Sequence, residues 1–535
     1  MDWVSFCRPA TLAVVGLAAL VVVALAKAVY LAFFHPLAKY PGPWLAKFTN
    51  AYAAYHGWKG DIHLDMWRCH QKYGDHVRYG PNRLIFNTAA ALRDIYSVGS
   101  VSKVIKATAY EPLVHRAPNT LTIRGGKDHA RRRRIMAQGV SEKAQRGYEQ
   151  RITGHIAKFC DAMFGTAEKL GPERWSEPKD MSKWCYYLSF DIMADVVFGA
   201  HYNLLEEERF RYVIECIDKS NTRMSCLIQW PEFARLKIDK YIFREAIVAR
   251  NRFIKFVSRV VGDRLGKFKS AFPDKVTAGP PDVFANLAAA KDPETGEGFS
   301  LNEIAAESTT LIVAGADTSS VAFGAILFYL ADNKEAYDKA AAEVRSKFRS
   351  RDEIVMGPAL ASCSYLYACI NEALRMSPPV GLALWREVAA DTLLIDGEPI
   401  SRGTDVGVPL YSIHHDPKYY KNPFEYRPER WLEDDGTGSV ERARSVFNPF
   451  SVGMRSCLGK SIATTEMALT AATVLFTGDF KFADGEQALV GRGRPDGEFG
   501  RHRPNEYQLR DHITGQKDGP ILQFMPRKIG QLDSN

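Results

Sequence analysis

A chain of 535 residues that is 46% hydrophobic and 11% aromatic holds ample material for a large core, which excludes a disordered chain, a collagen-like repeat and a disulfide-stapled miniprotein. Seventy basic against 62 acidic residues leave a net charge of +8, which suits an acidic partner or a membrane surface and is too diffuse to imply nucleic acid. The nine cysteines include no CxxC pair, so neither a zinc ribbon nor a full disulfide framework is indicated and a reducing compartment is favoured.

After a short leader, residues 1–9, the segment Ala10–Ala26 carries no charge, and the apolar run resumes after Lys27. Seventeen helical residues cover about 26 Å, and a lysine near a helix end can snorkel, so residues 10–34 are read as one membrane-anchoring helix. Positive charge is heavier after the span (Lys27, Lys39, Lys47) than before it (Arg8), which places the body on the cytosolic side. A cleaved secretory signal ending near Ala24-Leu25-Ala26 is the alternative. Pro36, Pro41 and Pro43 make residues 35–50 a stiff, non-helical hinge.

The remainder, 51–535, reads as one large, mainly helical domain with small sheets. Helical patterns run through Ser141–Leu170, Phe210–Cys226 and Glu245–Phe268, and strand-like pieces cluster near His76–Asn87 and Glu387–Pro409. Two Gly/Pro-rich stretches, Thr277–Pro281 and Asp292–Gly298, bracket a flexible connection. Ser300-Leu301-Asn302-Glu303 is a capping box opening a proline-free helix of about thirty residues. In its middle, Gly315, Asp317 and Thr318 interrupt an apolar face. Either the Thr hydroxyl bonds back to a carbonyl at a kink, or something approaches the backbone there and needs proton donors.

Phe450-Ser451-Val452-Gly453-Met454-Arg455-Ser456-Cys457-Leu458-Gly459 precedes an Ala-rich helical stretch, Lys460–Phe476. Amides at a helix start stabilise an anion, so Cys457 is expected to ionise readily. Gly453 and Gly459 leave room for a flat ligand, and Arg455 is a fork suited to a carboxylate. A buried cysteine at a helix start is the plain alternative, and His414 and His415, the nearest histidines in sequence, do not decide whether it is a nucleophile.

This segment resembles the FxxGxRxCxG haem-binding loop of the cytochrome P-450 superfamily, with all five fixed positions present. The resemblance implies that Cys457 is the axial thiolate of haem b iron, a ligand whose electron push favours O–O cleavage. Glu372-Ala373-Leu374-Arg375 matches the family's ExxR motif, and Pro428-Glu429-Arg430-Trp431 its PERF-like segment. By that resemblance Glu372, Arg375 and Arg430 form a structural cluster that holds the loop before Cys457. Ala314–Ser320 resembles the oxygen-activation segment, in which Asp317 and Thr318 relay protons toward dioxygen and Gly315 lets the helix open.

His129 and Arg133, at i and i+4, resemble the family's WxxxR pair with His in place of Trp. Both are assigned to haem propionates together with Arg455 and Arg386, while Arg131, Arg132 and Arg134 point elsewhere and are offered to an acidic partner. The nearest approach to a dinucleotide fingerprint, Gly491–Gly497, has the wrong spacing and reads as a loop. The family resemblance therefore implies electrons from NADPH through a separate diflavin reductase at the endoplasmic reticulum membrane.

The stretches FHPLAKYPGPW, SIHHDPKYYKNPFEYRPERW and GRHRPNEYQLRDHITGQKDGP resemble microsomal enzymes of filamentous fungi, which implies a lipophilic small-molecule substrate and a place in secondary metabolism. Pocket walls are expected at Val101–Ile123, Ala305–Ala316 and Val380–Leu384. The chemistry implied is hydroxylation or epoxidation. The alternatives are a haem-thiolate isomerase or dehydratase, a catabolic aromatic-acid hydroxylase, and a non-catalytic membrane haem or lipid binder.

Overall fold

The computed structural model describes residues 3–100, 102–114, 117–165, 174–270 and 282–527. Val101, residues 115–116, 166–170 and Thr277–Pro281, on which parts of the expected pocket wall, helix and linker fall, lie outside the described residues.

The first helix, α1 (Trp3–Val29), continues into a π-helical turn, Tyr30–Phe34. Thr11–Phe34 has a mean hydropathy of 2.6 and is exposed along nearly its whole length, with Leu31 near its end buried against the body. The hinge that follows is non-helical except for the single turn Leu45–Lys47. It lies against the body: the Arg78 amide donates to Pro41 O at 2.8 Å, Arg78 Nη1 to Leu31 O at 2.7 Å, and Lys39 and Tyr40 both reach Glu398.

Five short strands form the larger sheet: β1 (His76–Gly80), β2 (Arg83–Phe86), β3 (Val104–Lys106), β4 (Arg386–Val388) and β5 (Asp405–Gly407). Their order is β1–β2–β5–β4–β3, antiparallel except for the parallel β2–β5 pair. The helices that concern the site are α2 (Gly126–Gly139), α3 (Glu142–Phe164), α4 (Met181–Phe198), α5 (Tyr212–Gln229), α6 (Leu301–Asp332), α7 (Ser364–Met376) and α8 (Lys460–Thr477). Near the C-terminus, β6 (Gly478–Phe482), the hairpin β7 (Leu509–His512) and β8 (Thr514–Lys517), and β9 (Ile521–Pro526) complete the fold, with β9 between β6 and the short strand Lys179–Asp180. These C-terminal strands carry no alternating pattern that the sequence reading detected.

The domain is organised around α6. Ser300 Oγ accepts from the Glu303 amide at 3.3 Å while Glu303 accepts from the Ser300 amide at 2.8 Å, so the expected capping box is present. At 1.5 Å per residue, its 32 residues span about 48 Å, enough to cross the domain. Its second half is apolar all round and buried all round (Val321 to Leu330), as a helix in the middle of a core must be. Ile370 and Leu374 of α7, Leu469, Ala472 and Leu475 of α8 and Leu188 and Ile192 of α4 close around it. The connection that the two Gly/Pro-rich stretches bracket, read from sequence as flexible, holds the helix Val283–Ala289, and Asp292–Gly298 is a tight turn in which Asp292 N donates to Glu297 O and Gly296 N to Asp292 O, each at 2.8 Å.

Candidate functional site

The Cys457 loop is held by its own backbone and by two arginines. Cys457 N donates to Phe450 O at 2.8 Å and Ser456 N to Gly453 O at 3.1 Å. Gly453 has φ +73°, and a Cβ there would stand 2.0 Å from Tyr96 O. A glycine is therefore demanded there by the close approach of the Tyr96 carbonyl. Gly459 differs, since a Cβ there would meet only Ile462 at 3.7 Å and Cys457 Sγ at 3.8 Å. From the other side Arg133 of α2 donates to Ser456 O at 2.6 Å and to Ser456 Oγ at 3.1 Å. Arg455 donates to Ile123 O at 2.9 Å and Arg124 O at 2.7 Å.

Cys457 is the exposed member of the described cysteines; the other seven are buried. It is accessible yet densely surrounded. Burial pushes its thiol above the ordinary value, outweighing the Gly459 and Lys460 amides and Arg133, which pull it down. The helix start favours the ionised sulfur as expected, and desolvation within the loop opposes it. The middle of α6 offers a second accessible patch, for Ala314 is exposed and Thr318 half-buried just before the part of the helix lodged in the core.

Beside the loop lies a nest of cations. Burial and the charges of Arg455, Lys106, Arg133 and Arg386 push His129 down to about 3, so this buried imidazole is neutral at pH 7. Burial and Arg386 lower Arg455 to about 10. Lys106 of β3 is pushed far below its ordinary value by burial, then by Arg386 and Arg455. These cations are met by carbonyls: Lys106 donates to Leu121 O, and Arg386 donates to Leu384 O at 3.3 Å and Trp385 O at 3.1 Å. The carboxylate that acts on Lys106, Glu307, is engaged by Thr120 at 2.8 and 2.9 Å and by Arg132 at 3.5 Å. A cluster of basic side chains with no carboxylate committed to it among the described residues fits a ligand that brings its own carboxylates, beside a sulfur that can bind iron.

The neighbouring arginines behave differently from expectation. Arg131 pairs with Glu303 at 3.0 Å, Arg132 with Glu303 at 2.8 Å, and Arg134 with Asp292 at 2.6 Å. These ion pairs anchor α2 to the start of α6 through Glu303 and to the preceding turn through Asp292.

Glu372, Arg375 and Arg430 do come together. The fully buried Glu372 accepts from Arg375 Nε at 3.0 Å and Nη2 at 2.9 Å, from Arg430 Nε at 2.8 Å, from the Arg427 amide at 3.0 Å and from Trp431 Nε1 at 3.0 Å. Burial alone would raise its carboxyl, but Arg375 and Arg430 hold it below the ordinary value. Arg375 also donates to His414 O at 2.8 Å, and His414 Nε2 lies 3.3 Å from both Oδ1 and the amide of Asn448. Asn448 O then receives the Ser451 amide at 2.8 Å. The cluster thereby connects to the Cys457 loop through His414, a histidine to which the sequence reading gave no part.

Asp317 and Thr318, adjacent on α6, face different ways, as i, i+1 neighbours must. Thr318 Oγ1 donates back to Ala314 O at 2.7 Å. Asp317 is buried and accepts from Asn221 of α5 at 2.8 Å and from the Thr514 hydroxyl of β8. The helix does not open at Gly315. A Cβ there would lie 2.6 Å from both Cε and Sδ of Met193, so the glycine admits a close approach of α4. One turn of the network further, Lys517 Nζ donates to Ser320 Oγ at 2.8 Å.

Lys106, Asn221, Thr514 and Lys517 escaped the sequence reading. A lysine at an inward position of the apolar strand VIK was the one signal that could have exposed Lys106. Gly491–Gly497 is an irregular loop, with Gly493 pressed against Arg503 O.

The Cytochrome P450 family model matches residues 40–504. Cytochrome P450 monooxygenase AKT7 of Alternaria alternata is 45% identical over 501 residues, covering 93% of this chain and 94% of that protein. Cytochrome P450 monooxygenase poxM of Penicillium oxalicum is 44% identical over 496 residues, covering 93% and 91%. Cytochrome P450 monooxygenase atnE of Emericella nidulans is 42% identical over 505 residues, with 93% of each chain covered. The chain belongs to the cytochrome P450 family of haem-thiolate monooxygenases.

Proposed function

We propose that this chain inserts one oxygen atom of O₂ into a lipophilic small molecule, by hydroxylation or epoxidation, in fungal secondary metabolism. In this reading the Cys457 thiolate would hold a haem iron, and Arg133, Arg386 and Arg455, with His129 and Lys106, would meet the haem carboxylates. The observation that carries it is an accessible Cys457 beside a group of basic side chains that includes the buried Lys106, whose nearby carboxylate Glu307 is committed to Thr120 and Arg132. A haem held there supplies the reductive activation of dioxygen.

The residues of the chain do the rest. Ser456 and the Gly459 and Lys460 amides hold the sulfur in place. Thr318, accessible on α6, presents its hydroxyl for proton delivery, and Asp317 feeds the relay from the buried side through Asn221 and Thr514. The Glu372–Arg375–Arg430 cluster keeps the loop rigid. The small apolar run Val380–Leu384, together with Ala305–Ala316 and the described part of Val101–Ile123, lines the substrate's side.

Residues 10–34 anchor the protein as a single pass in the endoplasmic reticulum membrane, residues 35–50 join it to the body, and residues 51–535 face the cytosol. Electrons come from NADPH through a separate diflavin reductase docking on the side behind Cys457. The exposed apolar surface of Thr11–Phe34 supports the anchor, and the resemblance to fungal microsomal enzymes supports the compartment and the pathway class.

The spectrum of the reduced, carbon monoxide-bound protein tests this reading. A Soret band red-shifted by thiolate ligation is expected in the wild type and lost in Cys457→Ala. An unshifted band in the wild type, or one that survives Cys457→Ala, overturns the assignment.

A further inference from the structure

Away from this pocket, two histidines and an aspartate converge where α3 meets the end of α4. The chain leaves α4 through Gly199, whose left-handed φ of 59° turns it back, with Gly199 N bonded to Asp195 O at 2.7 Å and Ala200 N to Ala194 O at 3.2 Å. That turn carries His201 over Asp195, opposite His155 of α3. His155 Nε2 stands 3.1 Å from Asp195 Oδ2, and His201 Nδ1 stands 3.6 Å from the same oxygen. All three donor atoms lie within 4.8 Å of one another.

Tetrahedral zinc with bonds of about 2.0–2.1 Å separates its ligand atoms by about 3.3–3.4 Å. The two measured spacings bracket that value, and the 63% exposed side chain of His201 is free to adjust. Arg151 Nη1 lies 3.4 Å from the other carboxylate oxygen, Oδ1, and donates to Asp195 O at 2.9 Å. It fixes the carboxylate so that Oδ2 faces the imidazoles, the role an outer partner plays around a metal ligand. Two imidazoles and one carboxylate select a zinc-like ion over calcium or magnesium.

We propose that His155, Asp195 and His201 form a zinc site, completed by solvent, that clamps α3 to the end of α4. Two residues before Asp195, Met193 packs against Gly315 of α6, so the clamp bears on a helix that touches the middle of α6.

The test uses full-length, haem-loaded protein in detergent, purified without a histidine tag, stripped with EDTA and titrated with zinc chloride. One site per chain, a raised thermal midpoint, and zinc X-ray absorption showing two imidazoles are expected. His201→Ala, a surface change, and His155→Gln should each weaken binding at least tenfold while the reduced carbon monoxide spectrum stays unchanged. If His155→Gln fails to load haem, His201→Ala alone decides. No stoichiometric zinc in the wild type, or equal affinity in His201→Ala, overturns the proposal.

Discussion

Asp317 of α6 and Asn221 of α5 are joined by a hydrogen bond of 2.8 Å, and the Thr514 hydroxyl closes on the same carboxylate oxygen. One buried carboxylate thereby ties the central helix to the helix and hairpin that pack over it. Burial pushes its carboxyl up, and Thr514, Lys517 and Asn221 restrain that rise without cancelling it. A group so placed can release and regain a proton without leaving its partners.

Asp317→Asn removes the proton and keeps the shape. If Asp317 feeds the relay, dioxygen turnover with a diflavin reductase should fall about 100-fold, the scale of a lost general acid, and the solvent isotope effect should grow. Haem content should stay near wild type, since Asp317 touches none of the cation nest. Unchanged turnover removes Asp317 from the relay.

Glu466 of α8 gives a pH signature of its own. Burial raises its carboxyl to about 8, and among the described residues Oε2 accepts from Ser319 Oγ at 3.3 Å while Oε1 is unpartnered. The folded chain therefore keeps this proton up to about pH 8, whereas the unfolded chain releases it near 4.5. Between those values the unfolded state binds fewer protons, so stability falls as pH rises, by up to about 1.4 kcal/mol per pH unit. Glu466→Gln should flatten that decline between pH 5 and 8 in thermal unfolding, and a slope equal to wild type would show that Glu466 titrates normally.

Much of this architecture was readable because it rests on local rules. Ser300 and Glu303 announce α6 by their spacing, and the Glu372–Arg375 pair lies on one helical face wherever a helix forms. Arg430, 55 residues beyond Arg375, joins them only through the fold, and its part came from family resemblance. The partners of Asp317 were hidden because Asn221 and Thr514 come from distant elements without patterned neighbours. Cys457 shows the same limit from the other side: its helix start was visible in sequence, but the surrounding protein that raises its thiol was not. Gly315 and Gly453 were recognised as special, and the atoms that require them, in Met193 and Tyr96, lie more than a hundred residues away.

The two glycines flanking Cys457 should answer substitution in opposite ways. Gly453→Ala places a methyl 2.0 Å from Tyr96 O at a left-handed φ, a clash that relaxation of one flexible side chain cannot relieve. It should yield protein without the thiolate-shifted carbon monoxide band. Gly459→Ala meets ordinary contacts at 3.7 and 3.8 Å and should fold, with the band kept and displaced by a few nanometres as its methyl crowds the sulfur. Equal behaviour of the two variants would mean that backbone conformation does not govern this loop.

Lys106 offers a prediction in which two observables move in opposite directions. Its amine is buried beside Arg386 and Arg455, which together with burial disfavour its charged form, and it donates to Leu121 O above the face of Tyr110 at 4.8 Å. Without a bound dianion that arrangement costs stability, because folding either desolvates a charge that lacks an opposite partner or drives off its proton. With propionates present the same charge becomes favourable. Lys106→Met, close in volume, should make haem-depleted protein more stable by about 1 kcal/mol or more. It should also speed haem loss to an excess of apomyoglobin about tenfold. A lysine with a purely structural role gives a different result, since its removal weakens the depleted protein and leaves the haem-loss rate alone. The sign of the stability change in the haem-depleted protein, read beside the rate of haem loss, separates the two.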